Sequence, residues 1–176
     1  DTLAYEVALT PPEDADLAER IRGDLDLLKK KAAGAPSMGV LESRLERDLE
    51  RIRQALKAYG YYDGVAEGAI SSGTPARVTI VVRQGPLYRI GVFRIVWQGA
   101  APSAAPETVV EGLPASGRNI VGAGDRLLAA LRADGHFDAA LVERRAVLDR
   151  AAVKVDVTLT VAAGPQVTVG AVTPTG

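Results

Sequence analysis

The sequence predicts an α+β protein built from two successive copies of one unit. Each copy is ordered β-α-α-β-β, with a three-stranded mixed sheet covered by two helices. Three observations carry this. First, Ala55-Leu56-Lys57-Ala58-Tyr59-Gly60-Tyr61-Tyr62-Asp63 returns as Ala130-Leu131-Arg132-Ala133-Asp134-Gly135-His136-Phe137-Asp138. Second, Gly85-Pro86-Leu87-Tyr88-Arg89-Ile90-Gly91 is echoed from Gly164-Pro165 onward, with about four extra residues in the second copy. Third, apolar residues around these blocks recur with the helical period of 3.6 or the strand period of two.

The first unit opens on Leu3, Tyr5, Val7 and Leu9, which alternate as one face of a strand. A helix is expected next, with Thr10 as N-cap, Pro11 in the first helical position and Glu13 completing a capping box. Its apolar stripe is Leu17, Ile21, Leu25 and Leu28, and the run from Ala32 to Ser37 breaks it. A second helix is expected from Met38 to Tyr59, with Leu41, Leu45, Leu49, Ile52 and Leu56 on one face. Arg44 with Asp48, and Glu50 with Arg53, have the spacing to pair along it. A strand from Tyr61 to Ile70, a turn over 71–75 and a strand carrying Val78, Ile80 and Val82 complete the unit.

The second unit repeats the order. A strand runs over 87–97, a short helix is expected near Pro106 to Gly112, and a longer one from Ile120 to Asp134. A hairpin over 138–161 follows, whose last strand alternates Val153, Val155, Val157, Leu159 and Val161 with polar residues. In each unit the first and third strands come out parallel and adjacent, leaving the second strand as a sheet edge. Gly60 and Gly135 are placed where a helix ends in a left-handed residue, which glycine adopts without a Cβ clash. Tyr61-Tyr62 and His136-Phe137 then set aromatics at the mouth of the edge strand, and Asp63 and Asp138 can bond the turned backbone.

Composition excludes several function classes. The chain has 176 residues, 47% hydrophobic and 24% charged, with a formal net charge of −1. No strong field draws it to nucleic acid or anionic lipid. There is no cysteine, so disulfides and thiolate metal sites are absent. No run reaches the ~18–20 apolar residues of a membrane helix. The chain starts at Asp1 directly before a strand pattern and stops within another, as expected of a piece of a longer protein.

The Gly60-Tyr61-Tyr62-Asp63 corner, and Gly85-Pro86 followed by Tyr88, Arg89, Ile90 and Gly91, carry a family resemblance. The chain resembles the POTRA domains of TamA, a family grouped with BamA among outer-membrane assembly proteins. The resemblance covers nearly the whole chain: POTRA 1 over 1–85, POTRA 2 over 86–164, and the first strand of a POTRA 3 over 165–176. The second copy departs from the pattern at His136-Phe137 and in its short first helix. The resemblance implies a periplasmic segment of a Gram-negative outer-membrane protein, preceding a β-barrel that this chain does not contain. It implies a binding module and not an enzyme, with no cofactor and no direct membrane insertion. The implied partners are a TamB-like inner-membrane-anchored protein and nascent outer-membrane proteins, autotransporters among them. A BamA-like protein, a two-partner secretion transporter, and a structural spacer without clients remain alternatives.

POTRA domains often hold partners by adding a strand to an exposed edge, where unpaired N–H and C=O groups are on offer. The candidate residues are Val65, Ala66, Glu67, Gly68 and Ala69 on one edge, and Val142, Arg144 and Ala146 on the other. The glycines of the first edge permit either close approach of a partner backbone or local twist alone. Charges such as Arg144 and Arg145 on the second edge generally discourage pairing. Gly60, Tyr61, Tyr62, Asp63, Gly85, Pro86, Gly135 and Phe137 are expected as structural corners. The three-residue connection Gln84-Gly85-Pro86 is expected to restrict the angle between the units.

Other motifs lead nowhere. Arg22-Gly23-Asp24 lies within an expected helix, His136 is the only histidine, and Gly122-Ala123-Gly124 has no strand directly before it. Tyr88, Phe93 and Trp97 lie along a strand and read as core or domain junction rather than a base-stacking platform. No acidic pair has a spacing that marks acid–base work. Strand-helix-helix-strand-strand is also the order of a minimal KH domain, but neither inter-helix segment holds the G-x-x-G loop that clamps RNA.

Overall fold

A computed structural model describes residues 2–168 and 170. It divides into two compact units, 1–88 and 89–176. Unit 1 contains β1 (Tyr5–Thr10), α1 (Ala15–Asp24), α2 (Asp26–Lys29), α3 (Met38–Ala58), β2 (Val65–Ser71) and β3 (Ala76–Arg83). Unit 2 contains β4 (Arg89–Trp97), α4 (Gly117–Ala133), β5 (Ala140–Asp149) and β6 (Lys154–Ala162). Each unit has one three-stranded sheet, ordered β1-β3-β2 and β4-β6-β5. The outer pairs are parallel for β1 with β3 and β4 with β6, and antiparallel for β2 with β3 and β5 with β6. The α+β architecture with mixed sheets is therefore the one expected.

The core of unit 1 lies between helices and sheet. Leu41, Leu45, Leu49, Ile52 and Leu56 of α3 are buried, together with Leu17, Ile21 and Leu25. They pack with Ala76, Val78, Ile80 and Val82, which alternate buried and less buried along β3. Each buried aliphatic contributes at most about 1.5–3 kcal/mol, so the α3 stripe is what docks this helix. Unit 2 uses the same device. Val155, Val157, Leu159 and Val161 of β6 are buried, as are Ile120, Leu127 and Leu131 of α4.

The start of the first helix differs from expectation. Thr10 ends β1, and Asp14, not Thr10, caps α1 by accepting from Leu17 N–H at 3.1 Å. Two remote groups select this position. Gln84 Oε1 accepts from Asp14 N–H at 2.8 Å, and the Tyr61 hydroxyl donates to Asp14 Oδ2 at 2.8 Å.

The first helix is also broken at Leu25, and Leu27 rather than Leu28 is fully buried. The side chain of Asp48 from α3 causes the break. It accepts from Asp26 N–H at 3.1 Å and Leu27 N–H at 2.8 Å, capping α2. Asp48 thus bonds Arg51 at 3.0 Å and not Arg44, which instead donates to the Gly34 carbonyl at 2.8 Å. Glu50 and Arg53 do approach, at 3.7 Å.

Unit 2 has no helix over 106–112; the segment is irregular and turns at 111–113. Thr108-Val109-Val110 is a β-branched run with poor helix propensity. The anchors that hold α1 in unit 1 are also gone. His136 stands at the place of Tyr61, and Ala163 at the place of Gln84. The strand expected to begin a third unit over 165–176 falls partly outside the described residues, and none is assigned over 165–168. No described helix is long and apolar enough to cross a membrane.

Candidate strand-addition edges and helix corners

The hydrogen-bond pattern tells which backbone groups each edge presents. Ala76 N–H donates to the Ala4 carbonyl, so Ala76, Val78, Ile80 and Val82 turn their backbone to β1. The intervening residues bond β2, and in the observed register they face Val65, Glu67, Ala69 and Ser71. Ala66, Gly68 and Ile70 therefore turn N–H and C=O away from the sheet. In unit 2, Arg89 N–H and Gln98 N–H donate to the Val153 and Val161 carbonyls. The same alternation leaves Arg144, Ala146 and Leu148 of β5 with outward backbone.

The opposite edges are closed where they begin. Leu3 and Ala35 exchange two bonds of 2.7 and 2.9 Å. Ile90 donates to the Leu113 carbonyl and accepts from Gly112 N–H, both at 2.8 Å. Phe93 N–H is taken by Glu111 Oε1 at 3.1 Å. On the inner side, in the bulge between β4 and β6, Val92 N–H is taken by Asp156 Oδ1 at 2.8 Å, where a Cβ on Gly91 would lie 2.5 Å from that oxygen. This explains the glycine in the Tyr88-Arg89-Ile90-Gly91 run.

The two candidate edges differ in composition and in cover. On β2, Ala66 is buried, while Val65, Glu67, Gly68 and Ala69 are exposed. Gly68 serves the protein's own packing, because a Cβ there would come within 2.7 Å of Leu45 Cδ1. Glu67 pairs across the ladder with Arg83 at 3.5 Å. Arg53 of α3 reaches over the edge and donates to the Ala66 carbonyl at 3.3 Å. On β5, residues 142–150 are exposed along their whole length, including Val142, Val147 and Leu148.

The corners share one geometry. Gly60 and Gly135 have φ of 95° and 92°. Each glycine N–H and the next N–H fold back onto the helix: Gly60 to Lys57, Tyr61 to Leu56, Gly135 to Arg132 and His136 to Leu131. The segment leaving each unit then docks on the glycine carbonyl, with Tyr88 N–H at 2.9 Å on Gly60 and Val167 N–H at 3.0 Å on Gly135. Gly85 and Gly164, also at positive φ, turn the chain into this docking.

Around Gly60 the tyrosines are tied in. Tyr88 donates to Asp63 Oδ2 at 2.6 Å, and its ring meets Tyr62 edge-on at 5.3 Å. Burial, then the bond to Asp14 and the charges of Asp14 and Glu13, push the Tyr61 hydroxyl up to about 12. Around Gly135, Phe137 is 61% exposed and His136 is buried. His136 Nδ1 lies 3.0 Å from the Gly164 carbonyl, which can only accept, so Nδ1 carries the proton. His136 Nε2 has no partner among the described residues. No three metal-binding side chains converge among the described residues.

Sequence reasoning located both edges and both corners. It missed Arg53 as an edge contact, because the i,i+3 spacing to Glu50 explains that arginine within its own helix. It missed Asp48 as a cap, because the groups it caps lie on another helix.

No protein-family model matches the chain, and no curated protein matches it. Solved structures do. The POTRA1–3 segment of the periplasmic domain of Omp85 from Anabaena is matched with a TM-score of 0.50 at 16% identity, over 90% of this chain and 60% of that one. The chain therefore spans less than two thirds of that segment. The POTRA1–2 segment of the same protein gives a TM-score of 0.49 at 16% identity, over 93% and 96% of the two chains. BamA POTRA3–5 from Haemophilus influenzae gives 0.44 at 20% identity, over 96% and 68%. The Anabaena POTRA1–3 likeness shows that the fold is that of POTRA domains.

Proposed function

We propose that this chain is a tandem POTRA segment of an outer-membrane barrel protein, working in the periplasm as a non-enzymatic holder of protein partners. Partners add an extended segment to the outward edge of β2 or β5. The observation that carries this is the pair of edge strands whose alternate backbone groups point away from the sheet. The tyrosine corner and the Gly85-Pro86 run favour a TamA-like protein, with a TamB-like partner and nascent outer-membrane chains, autotransporters included, as clients. The POTRA likeness to Omp85 favours a second reading, a BamA-like protein with the same edges put to the same use.

The test is photocrosslinking in cells that produce the full protein. Ala66 is buried, so the probe goes to exposed Ala69 on β2 and to Ala146 on β5, with Glu46 and Asp125 on the helices as controls. Strand addition predicts protein adducts at one or both edge positions, well above the helix controls. Adducts at the helix positions and none at either edge would show that the segment binds some other way. Mass spectrometry of the adducts separates TamA-like from BamA-like partners.

A further inference from the structure

Resting on that strand-addition reading, we propose that the two edges are not equivalent: Arg53 seals the β2 edge, and β5 receives an extended partner that is acidic at one end and apolar at the other.

A guanidinium laid on an edge carbonyl takes one of its two lone pairs and stands where an incoming strand would lie, so the strand must displace it or work around it. Arg53 Nη2 holds the Ala66 carbonyl at 3.3 Å, and Glu50 holds the same guanidinium from behind at 3.7 Å. Ala66 is the first of the three β2 residues that turn outward. With that carbonyl covered, Gly68 and Ile70 are the outward residues left to carry a ladder. Gly68 has no side chain to pack against a neighbour. Across the ladder Glu67 is already paired with Arg83. An arginine laid over an edge acceptor is one way of blunting an edge.

On β5 the comparable contact lies off the strand: Arg132 of α4 donates to the Ala139 carbonyl at 3.0 Å, one residue before β5 begins, and no described side chain takes a carbonyl of the stretch 144–148. Among the described residues, no hydrogen bond or ion pair engages the side chain of Arg144 or Arg145. Arg144 belongs to the helix-side face, opposite buried Leu159, and a Cβ on Gly124 of α4 would lie 3.3 Å from its Nη2. Arg145 belongs to the other face, opposite Thr158. Two arginines thus stand at one end of the outward stretch, one on each face. Ala146, Val147 and Leu148 follow, and the last two are exposed hydrophobics. Cross-strand pairs of opposite charge stabilise and like pairs destabilise, so a matching strand carries acidic residues opposite Arg144 and Arg145. Opposite 146–148 it carries small or β-branched apolar residues. The charges that deter pairing in general then act as selection: they reject cationic strands and admit acidic ones.

The test uses two synthetic peptides of about ten residues, alternating Val and Thr, one with two Glu at one end and the other with two Lys there. The purified chain carries the photocrosslinker at Ala69 or at Ala146. The Glu peptide is expected to label Ala146 about three- to ten-fold more than the Lys peptide does. The double reversal Arg144→Glu with Arg145→Glu, at exposed sites, is expected to invert that preference. Ala69 is expected to stay nearly unlabelled until Arg53→Met, which keeps the aliphatic stem, opens it several-fold. Circular dichroism checks that this variant is folded, and Arg53→Ala serves if it is not. Labelling of Ala69 in the unaltered chain, or equal labelling of Ala146 by both peptides, would overturn the inference and leave strand addition standing. No labelling at either edge by either peptide would take down both.

Discussion

Replacing Asp48 by Ala removes one buried carboxylate and, with it, the start of another helix. The Asp48 side chain has no solvent exposure and accepts from two backbone N–H groups, at 3.1 and 2.8 Å. A hydrogen bond to a charged acceptor contributes about 1.5–3 kcal/mol net, and a buried N–H left without a partner costs a similar amount. Arg51 adds little, because its side chain is 43% exposed and water screens the pair. The expected loss is about 3–5 kcal/mol, a large fraction of the ~5–15 kcal/mol that holds a domain. Asp48→Asn keeps one acceptor oxygen but turns an NH2 toward the second N–H, so about half of that loss is expected. The assay is urea unfolding followed by tyrosine fluorescence, since all five tyrosines lie in unit 1 and the single tryptophan, Trp97, lies in unit 2. With a slope near 2 kcal/mol per molar urea, the Ala variant's midpoint falls by about 2 M. An Ala midpoint within error of the unaltered protein, or an Asn variant as weak as Ala, would refute the capping argument.

Tyr61→Phe should lower the stability of unit 1 by about 1–2 kcal/mol, read in the same urea titration, because Asp14 loses its hydroxyl donor. The same bond sets an alkaline limit. The phenol's folded value, about 12, lies above its ordinary value of 10.0, so its contribution is whole below pH 10 and fades as pH rises toward 12. Tyrosinate absorbance should lose its step near pH 12 in the Phe variant, while Tyr62, which burial also pushes up, keeps its own. Gly135→Ala should be costly twice over, since φ is +92° and the new Cβ would meet the Val167 carbonyl at 2.6 Å. About 2 kcal/mol of lost stability is expected, with faster amide exchange at Val167; unchanged exchange there would count against docking of 164–167 on the corner.

Much of this fold could be read before any coordinates. The α3 stripe of leucines and the alternation of valines in β6 are local patterns, and local periods survive in the folded chain. The two glycine corners were legible because the residue after a helix at positive φ has few alternatives. What failed was decided at a distance. Thr10 has the right chemistry for an N-cap, yet Asp14 takes the role because Tyr61 and Gln84 arrive from later in the chain to hold it. The break at Leu25 depends on Asp48, and the missing helix of unit 2 accompanies the replacement of Tyr61 by His136 and of Gln84 by Ala163. The candidate edges followed from topology. Their inequality did not, because it turns on which side chain crosses which carbonyl.

The strand order β1-β3-β2 also governs the timing of folding. The β2–β3 hairpin closes a short loop and can form as soon as both strands exist. Tyr5, however, pairs with Ala76, almost the whole length of unit 1 away. Within unit 1, the strand made first can therefore pair only once the unit's last strand exists. As unit 1 leaves a ribosome or a secretion pore, β1 waits without its sheet partner until β3 follows. Throughout that interval β1 is itself an unpaired strand in need of a partner, and a chaperone acting on this unit would find a target in Tyr5–Thr10.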